Sequence, residues 1–191
     1  MQIPSYAERI LFWQQAYARS AFIDAGRYAG RILELDPPLG SLDRKSLTAA
    51  FVSAYGRPFK QRRAVRLSDD SVPIEHRATH DSIIEVRDKI IAHRDLDGPI
   101  TEWGFVSKVR VDIVSNEMAI NTRSPFISNE MAQEARPLIE QLISVADRVI
   151  DDFVRRFIMT SVTPADASYV VSLEEDPEQW LQREASDPPT T

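Results

Sequence analysis

Arg87 and His93, in the string Arg87-Asp-Lys-Ile-Ile-Ala-His93, are the residues of this chain whose types and spacing most invite chemistry. Six residues apart on a helix, they sit about 120° apart around its axis. They do not stack on one face, but they can flank one groove. His93 falls in the last helical turn, where the negative end of the helix dipole favours a protonated imidazole by about 0.3–1 kcal/mol. Arg87 keeps its charge at any working pH and carries a planar fork that matches a phosphate. The pair therefore suits a phosphate-bearing ligand. The plainer alternative is a charged helix end that pairs ions at the surface.

Other polar residues cluster nearby in sequence. His80 lies seven residues before Arg87, nearly on the same helical face, and can support the site; an exposed polar position is the simpler reading. His76 and His80 have the i,i+4 spacing of helical metal ligands, but no third ligand is evident, so neither a metal nor another cofactor is expected. Arg57, Lys60, Arg62, Arg63 and Arg66 crowd ten residues without one acid. Phosphate contact is the functional reading of that run. Its alternative is a solvated loop that pairs with acids elsewhere, including those of the acidic tail.

Composition bounds the rest. The 191 residues are 43% hydrophobic and 27% charged, ordinary for one globular domain plus a tail. There is no cysteine, so disulfides and thiolate metal sites are excluded. No basic and apolar leader opens the chain, and no apolar run approaches the roughly 18 residues of a membrane span. A cytoplasmic protein without a membrane partner is expected. The net charge of −6 argues against indiscriminate nucleic-acid binding, but its distribution matters. From Thr160 onward there are seven acids and one base, while residues 1–159 hold 22 of each. The body is neutral and free to carry local basic patches.

The elements that must position these residues are mainly helices. Ser5-Tyr-Ala-Glu8 is a capping box. Ile10, Trp13, Tyr17, Ala21, Ala25, Tyr28, Ile32 and Leu35 follow at helical spacing and predict an inward stripe, ended by Asp36-Pro-Pro. A second helix is predicted from Leu42 to about Tyr55, with Gly56-Arg-Pro58 as its stop. Pro73 opens a third, buried through Ile83, Ile84, Val86, Ile90 and Ile91, and closed by Asp97-Gly-Pro99. Phe105, Val109, Val111 and Ile113, then Met118, Ile120 and Thr122, alternate around Ser115-Asn-Glu117 and predict a β-hairpin. A long helix runs from Asn129 to about Met159, with Pro137 as a kink or as its true start. The aromatic residues of the first and last helices are expected in the core.

The fold expected is mainly α: an antiparallel four-helix bundle over residues 1–160, with the hairpin inserted between the third and fourth helices. Residues 161–191 are expected to be an acidic, disordered tail in which Glu178-Gln-Trp-Leu-Gln-Arg-Glu184 is one short sticky island. Ending the chain after Thr163 should then leave its stability nearly unchanged.

In this setting the string Arg87–His93 resembles the R-X4–6-H motif of the HEPN superfamily, with the usual polar residue, here Asp88, directly after the arginine. The likeness is greatest to abortive-infection-like bacterial HEPN proteins. Tyr55-Gly-Arg-Pro-Phe-Lys-Gln-Arg-Arg63 and the long final helix look similar too, so it spans roughly Leu47 to Phe157. The resemblance implies a metal-independent endoribonuclease, a toxin or antiphage effector, in which a ribose 2′-hydroxyl attacks its own phosphodiester. It implies His93 as general base or acid, Arg87 as stabiliser of the phosphoryl transition state, and Asp88 as a group orienting Arg87 or the backbone. It also implies a homodimer whose two motifs meet in one site, an RNA substrate and an antitoxin protein as partner. The alternative it carries is a non-catalytic HEPN-fold interaction or nucleotide-binding protein. Where some relatives place a tyrosine two residues after the histidine, this chain has Asp95. Asp95 and Asp97 also put negative charge beside the proposed RNA site.

Overall fold

The computed structural model describes residues 3–60, 66–88, 109–114, 117–122, 126–161, 169–173 and 180–183. The chain is mainly helical. Helix α1 spans Tyr6–Leu35, α2 Leu42–Lys60, α3 Arg77–Arg87 and α4 Asn129–Phe153. Two antiparallel strand pairs accompany them: β1 (Val109–Val114) with β2 (Glu117–Thr122), and β3 (Tyr169–Val171) with β4 (Leu181–Arg183). In the first pair Val109 faces Thr122 and Val114 faces Glu117.

Local chemistry sets the ends of α1. The Ser5 hydroxyl accepts the Glu8 amide, and the Glu8 carboxylate accepts the Ser5 amide at 2.9 Å, which completes the capping box. At the other end Asp36 takes a left-handed conformation, φ 40°, before two prolines. Small residues then let α1 lie close to its neighbours. Ala18, Ala21, Ala25 and Ala29 are buried along it with Phe22 and Ile32. Helix α1 packs on α2 and α4, and α3 touches the same two helices.

The inward stripe expected for α1 holds in part, since Ala21, Ala25 and Ile32 are buried, but its axis is displaced. The buried face follows Ala18, Phe22, Ala25, Ala29 and Ile32, while Trp13 and Tyr28 are each 36% exposed and Leu35 48%. The two stripes differ by roughly a quarter turn. Alanines take most of the core side and allow close helix approach; of the aromatics of α1, Phe22 is in the core and Phe12 packs on the second cluster, while Trp13 and Tyr28 stay outside.

Helix α2 does not stop at Gly56-Arg-Pro58. It runs through Pro58 to Lys60. Proline costs the helix one hydrogen bond, but Tyr55 and Phe59 on either side of it are fully buried and packed on Phe22. The Pro58 carbonyl is satisfied from outside by the Leu67 amide at 2.9 Å. Pro137 likewise lies inside α4, whose start is fixed by the Ser128 hydroxyl accepting the Met131 amide. Beyond Phe153 the helix continues as a π turn, Val154–Ile158, and one more α turn, Met159–Ser161.

A buried arginine ties the α1–α2 corner to the start of α4. Arg44 is 2% exposed. It donates to the Pro37 carbonyl at 3.0 Å, the Ile127 carbonyl at 3.3 Å, Asn129 Oδ1 at 2.9 Å and Asp36 Oδ1 at 3.3 Å. Every stretch of this guanidinium is used.

The tail from 161 to 191 also departs from expectation, since part of it is built into the body. Trp180 is 1% exposed and meets Phe153 edge-on at 6.2 Å between ring centres. Phe157, Phe12, Val171 and Leu181 complete that second cluster. The Ser172 amide donates to the Trp180 carbonyl at 2.7 Å, and Arg9 donates to the Ser172 carbonyl at 3.1 Å. A single large aromatic with a two-strand clip can dock a segment whose overall composition is polar and acidic.

Candidate functional site

The end of α3 lies against the last turns of α2, and glycine is the reason it can. A Cβ built on Gly56 would stand 2.7 Å from Arg87 Cδ and 3.1 Å from its Nε. The Arg87 side chain occupies that space and is only 20% exposed. Gly56, expected as a helix stop, is instead a notch for the arginine.

Three charges meet over this notch. Arg87 Nη1 donates to Asp88 Oδ1 at 2.7 Å, and Lys60 Nζ donates to Asp88 Oδ2 at 3.0 Å. One carboxylate therefore bridges cations from two helices, and the trio retains one positive charge. Partial burial works to raise the Asp88 carboxyl. The hydrogen bonds and charges of Lys60 and Arg87 outweigh it, and the net shift is downward. The Nε of Arg87 is buried and has no hydrogen-bond partner among the described residues. A buried N–H on a cation is costly to leave unused. Asp88 keeps helical backbone angles, φ −66° and ψ −35°. His93, Ile90 and Ile91 lie outside the described residues.

The basic run divides. Arg57 and Arg66 are exposed and make no ion pair among the described residues. Lys60 is committed to Asp88. Arg62 and Arg63, like Phe105, Asp95 and Asp97, lie outside the described residues. The Arg66 carbonyl accepts a short hydrogen bond from Gln14 of α1, and the Leu67–Pro58 bond closes the segment onto the end of α2.

His80 does not join this site, nor is it an exposed polar position. It is 2% exposed, set between α2 and α3. Its Nδ1 lies 2.8 Å from the Tyr55 hydroxyl, and its ring meets Phe59 edge-on at 4.6 Å. Its Nε2 is 3.7 Å from Asp69. Desolvation is the largest influence and pushes the imidazole pKa down, against the raising effect of Asp69 and Asp81. Burial, with the charges of Asp69 and Asp81, pushes the Tyr55 phenol up. Both therefore stay neutral at pH 7. In the tautomer with hydrogen on Nε2, Tyr55 donates to Nδ1 and the ring N–H faces Asp69. This pair is core architecture between the helices that carry Lys60 and Arg87.

Reasoning from the sequence missed Gly56 as the notch for Arg87 and Lys60 as the second cation on Asp88. The signal was present: Gly56 and Lys60 are four apart, on one helical face. Reading Pro58 as a terminator hid it. Among the described residues no group of three or more His, Asp or Glu side chains is placed to hold a metal ion. Among the same residues no helix is long and apolar enough to cross a membrane. In comparisons with known proteins, no family model, no curated protein and no solved structure matches this chain.

Proposed function

We propose that this chain is a metal-independent endoribonuclease of the HEPN type, working as a homodimer with Arg87 and His93 at the shared site. In this reading α1 to α4 form an antiparallel four-helix bundle, and β1–β2 is an insert between its third and fourth helices. The observation that carries the reading is Arg87 itself. Its guanidinium is recessed against Gly56, carries a buried Nε–H with no partner among the described residues, and stands beside a second cation, Lys60. The part of this guanidinium that stays exposed, with Lys60 beside it, suits a phosphate oxygen.

In this reading the chemistry is shared between His93 and Arg87. His93 in its neutral form takes the proton of a ribose 2′-hydroxyl, which attacks the adjacent phosphorus. The bond from phosphorus to the 5′-oxygen breaks, leaving a 2′,3′-cyclic phosphate. The second copy of the motif supplies the proton that the departing 5′-oxygen takes up. Arg87 offsets the charge that gathers on the non-bridging oxygens. Asp88 holds Arg87 and Lys60 in position, and Arg57, Arg62, Arg63 and Arg66 supply further phosphate contacts.

Incubation of purified protein with a mixed-sequence RNA tests this. Cleavage should persist in EDTA, disappear in His93→Ala and fail in Arg87→Lys, which keeps charge but loses the fork. Cleavage retained by His93→Ala, or a protein that sediments as a monomer at micromolar concentration, refutes it. One feature favours a second reading. Asp88 already bonds both cations, which suits a non-catalytic interaction or nucleotide-binding module. Nucleotide or RNA binding without cleavage by the wild type would select it.

A further inference from the structure

Trp13 of α1 stays exposed outside the core, beside half-buried Tyr17, on the helix that meets the basic segment. Trp13 and Tyr17 are one turn apart, and their rings stack at 5.7 Å with only 10° between the planes. Trp13 remains 36% exposed although it is among the largest apolar side chains of the helix. Between them in sequence, Gln14 reaches out and holds the carbonyl of Arg66. This bond holds the backbone of Arg66, an exposed arginine that makes no ion pair among the described residues, against the helix that carries the ring pair. The Leu67–Pro58 bond brings the same segment back to the last turns of α2, where Arg57 is also exposed and unpaired among the described residues. Lys60 and the Arg87 notch are on the next turn.

Flat rings beside exposed cations recognise one chemistry well. An unpaired base can extend a ring stack, and its phosphates can follow the cations; a duplex hides its base faces and cannot do the first. A protein partner would also cover aromatics, but Arg66 and Arg57 are exposed and make no ion pair among the described residues, while Asp70 lies 3.9 Å from Arg77, so an occupant anionic along one edge and aromatic along the other is favoured. We propose that Trp13 and Tyr17, with Arg66 and Arg57, form a track for single-stranded RNA that leads a strand toward Arg87. A base stacks on Trp13, Arg66 takes the neighbouring phosphate, and Arg57 takes a phosphate nearer the notch. This deepens the ribonuclease reading and rests on it for the choice of RNA over DNA.

Fluorescence anisotropy with a labelled single-stranded RNA of mixed sequence, and with its duplex, tests the track. The His93→Ala protein is used so that the probe stays intact. Adding Trp13→Ala should weaken single-strand binding roughly five- to a hundredfold, the range expected for one base–aromatic stack, and leave duplex binding unchanged. Trp13→Phe should recover most of the loss. Arg66→Gln should weaken both probes and lower the salt slope by about one. Equal single-strand affinity with and without Trp13→Ala overturns the proposal. So does a Trp13→Ala protein that has changed its oligomeric state by sedimentation, which would assign the face to a second copy of the chain. Cleavage measured separately keeps the two readings apart. Trp13-dependent binding by a wild type that does not cleave sustains the track and rejects the nuclease. His93-dependent cleavage with Trp13-independent binding does the reverse.

Discussion

Gly56→Ala should separate the fold of this protein from its site. Inside a helix, alanine is better than glycine by about 0.5–1 kcal/mol, because glycine loses more backbone freedom on folding. Here the new methyl would sit 2.7 Å from Arg87 Cδ, 3.1 Å from Nε and 3.3 Å from Cγ. Three atoms along the middle of one side chain cannot be cleared by a small tip movement. Arg87 must leave its rotamer, at about 0.5–1.5 kcal/mol. It also forfeits the contact with Asp88, a partly exposed ion pair worth about 0–1 kcal/mol. The opposing contributions nearly cancel, so the denaturant midpoint should change by the equivalent of no more than about 1–2 kcal/mol. On the proposed ribonuclease reading, RNA cleavage should fall by at least tenfold, since a shift of about 1 Å in a group that reading assigns to the transition state costs up to roughly a hundredfold. Urea unfolding followed by circular dichroism, with initial cleavage rates on the same preparations, reads both quantities. A Gly56→Ala protein of normal stability and normal rate would show that the recessed position of Arg87 is not used in the reaction. A loss of several kcal/mol would show instead that α2 and α3 cannot yield locally.

Three further outcomes follow from the packing. Trp180→Ala, or ending the chain after Thr163, should lower stability by up to about 3–5 kcal/mol, the range for emptying a large aromatic site, and the two changes should not add; equal melting midpoints for truncated and full chains would mean that the Phe153–Phe157 cluster holds without Trp180. Arg44→Met should destabilise by about 3–5 kcal/mol in urea unfolding, because two buried carbonyls and Asn129 lose their donor, and Arg44→Lys should rescue little of it, since one ammonium cannot reach four acceptors. His80 has its pKa lowered in the folded state, so its contribution to stability is present above the unfolded value near ~6.5 and is lost as pH falls through the folded value; His80→Phe should flatten the decline in urea midpoint below that pH, and an identical pH profile in both proteins would remove His80 as its source.

Much of the fold was legible in the chain because several signals agreed. The capping box at Ser5 and the prolines after Asp36 each have one physical reading, and α1 begins and ends there. Legibility failed where two residue types competed for one role. On α1 two overlapping stripes have helical period: they share Ala25 and Ile32, one adds Trp13 and Tyr28 and the other Ala18, Phe22 and Ala29. The second is the one buried, since the distance between helices, which no sequence window contains, decides which stripe can be buried. At Pro58 a local rule was overridden by two buried aromatics that hold the final turn of α2 in place. In the tail, average polarity concealed one tryptophan with a complementary socket.

The same competition explains why the site was only half readable. Arg87 and Asp88 announced themselves by type and by their place near the end of a helix. Gly56 did not, because a glycine before a proline looks like punctuation, and its actual use depends on another helix passing within 3 Å of its missing side chain. The consequence reaches beyond one residue. If Arg87 is set by the absence of a Cβ on α2 and by Asp88 sharing its charge with Lys60, then the geometry of the arginine is fixed by the α2–α3 contact rather than by loops. The buried Tyr55–His80 pair sits in that contact, alongside Phe59. Tyr55→Phe leaves the ring packing of the core intact while removing the hydroxyl from His80. It should therefore cost about 1–3 kcal/mol in stability, the range for a buried acceptor left unpaired. It should also slow cleavage only as far as it lets α3 slide on α2, and it should do so without changing the salt dependence of RNA binding. A cleavage defect accompanied by a changed salt slope would mean that the pair steers the cations themselves, and that His80 belongs to the site after all.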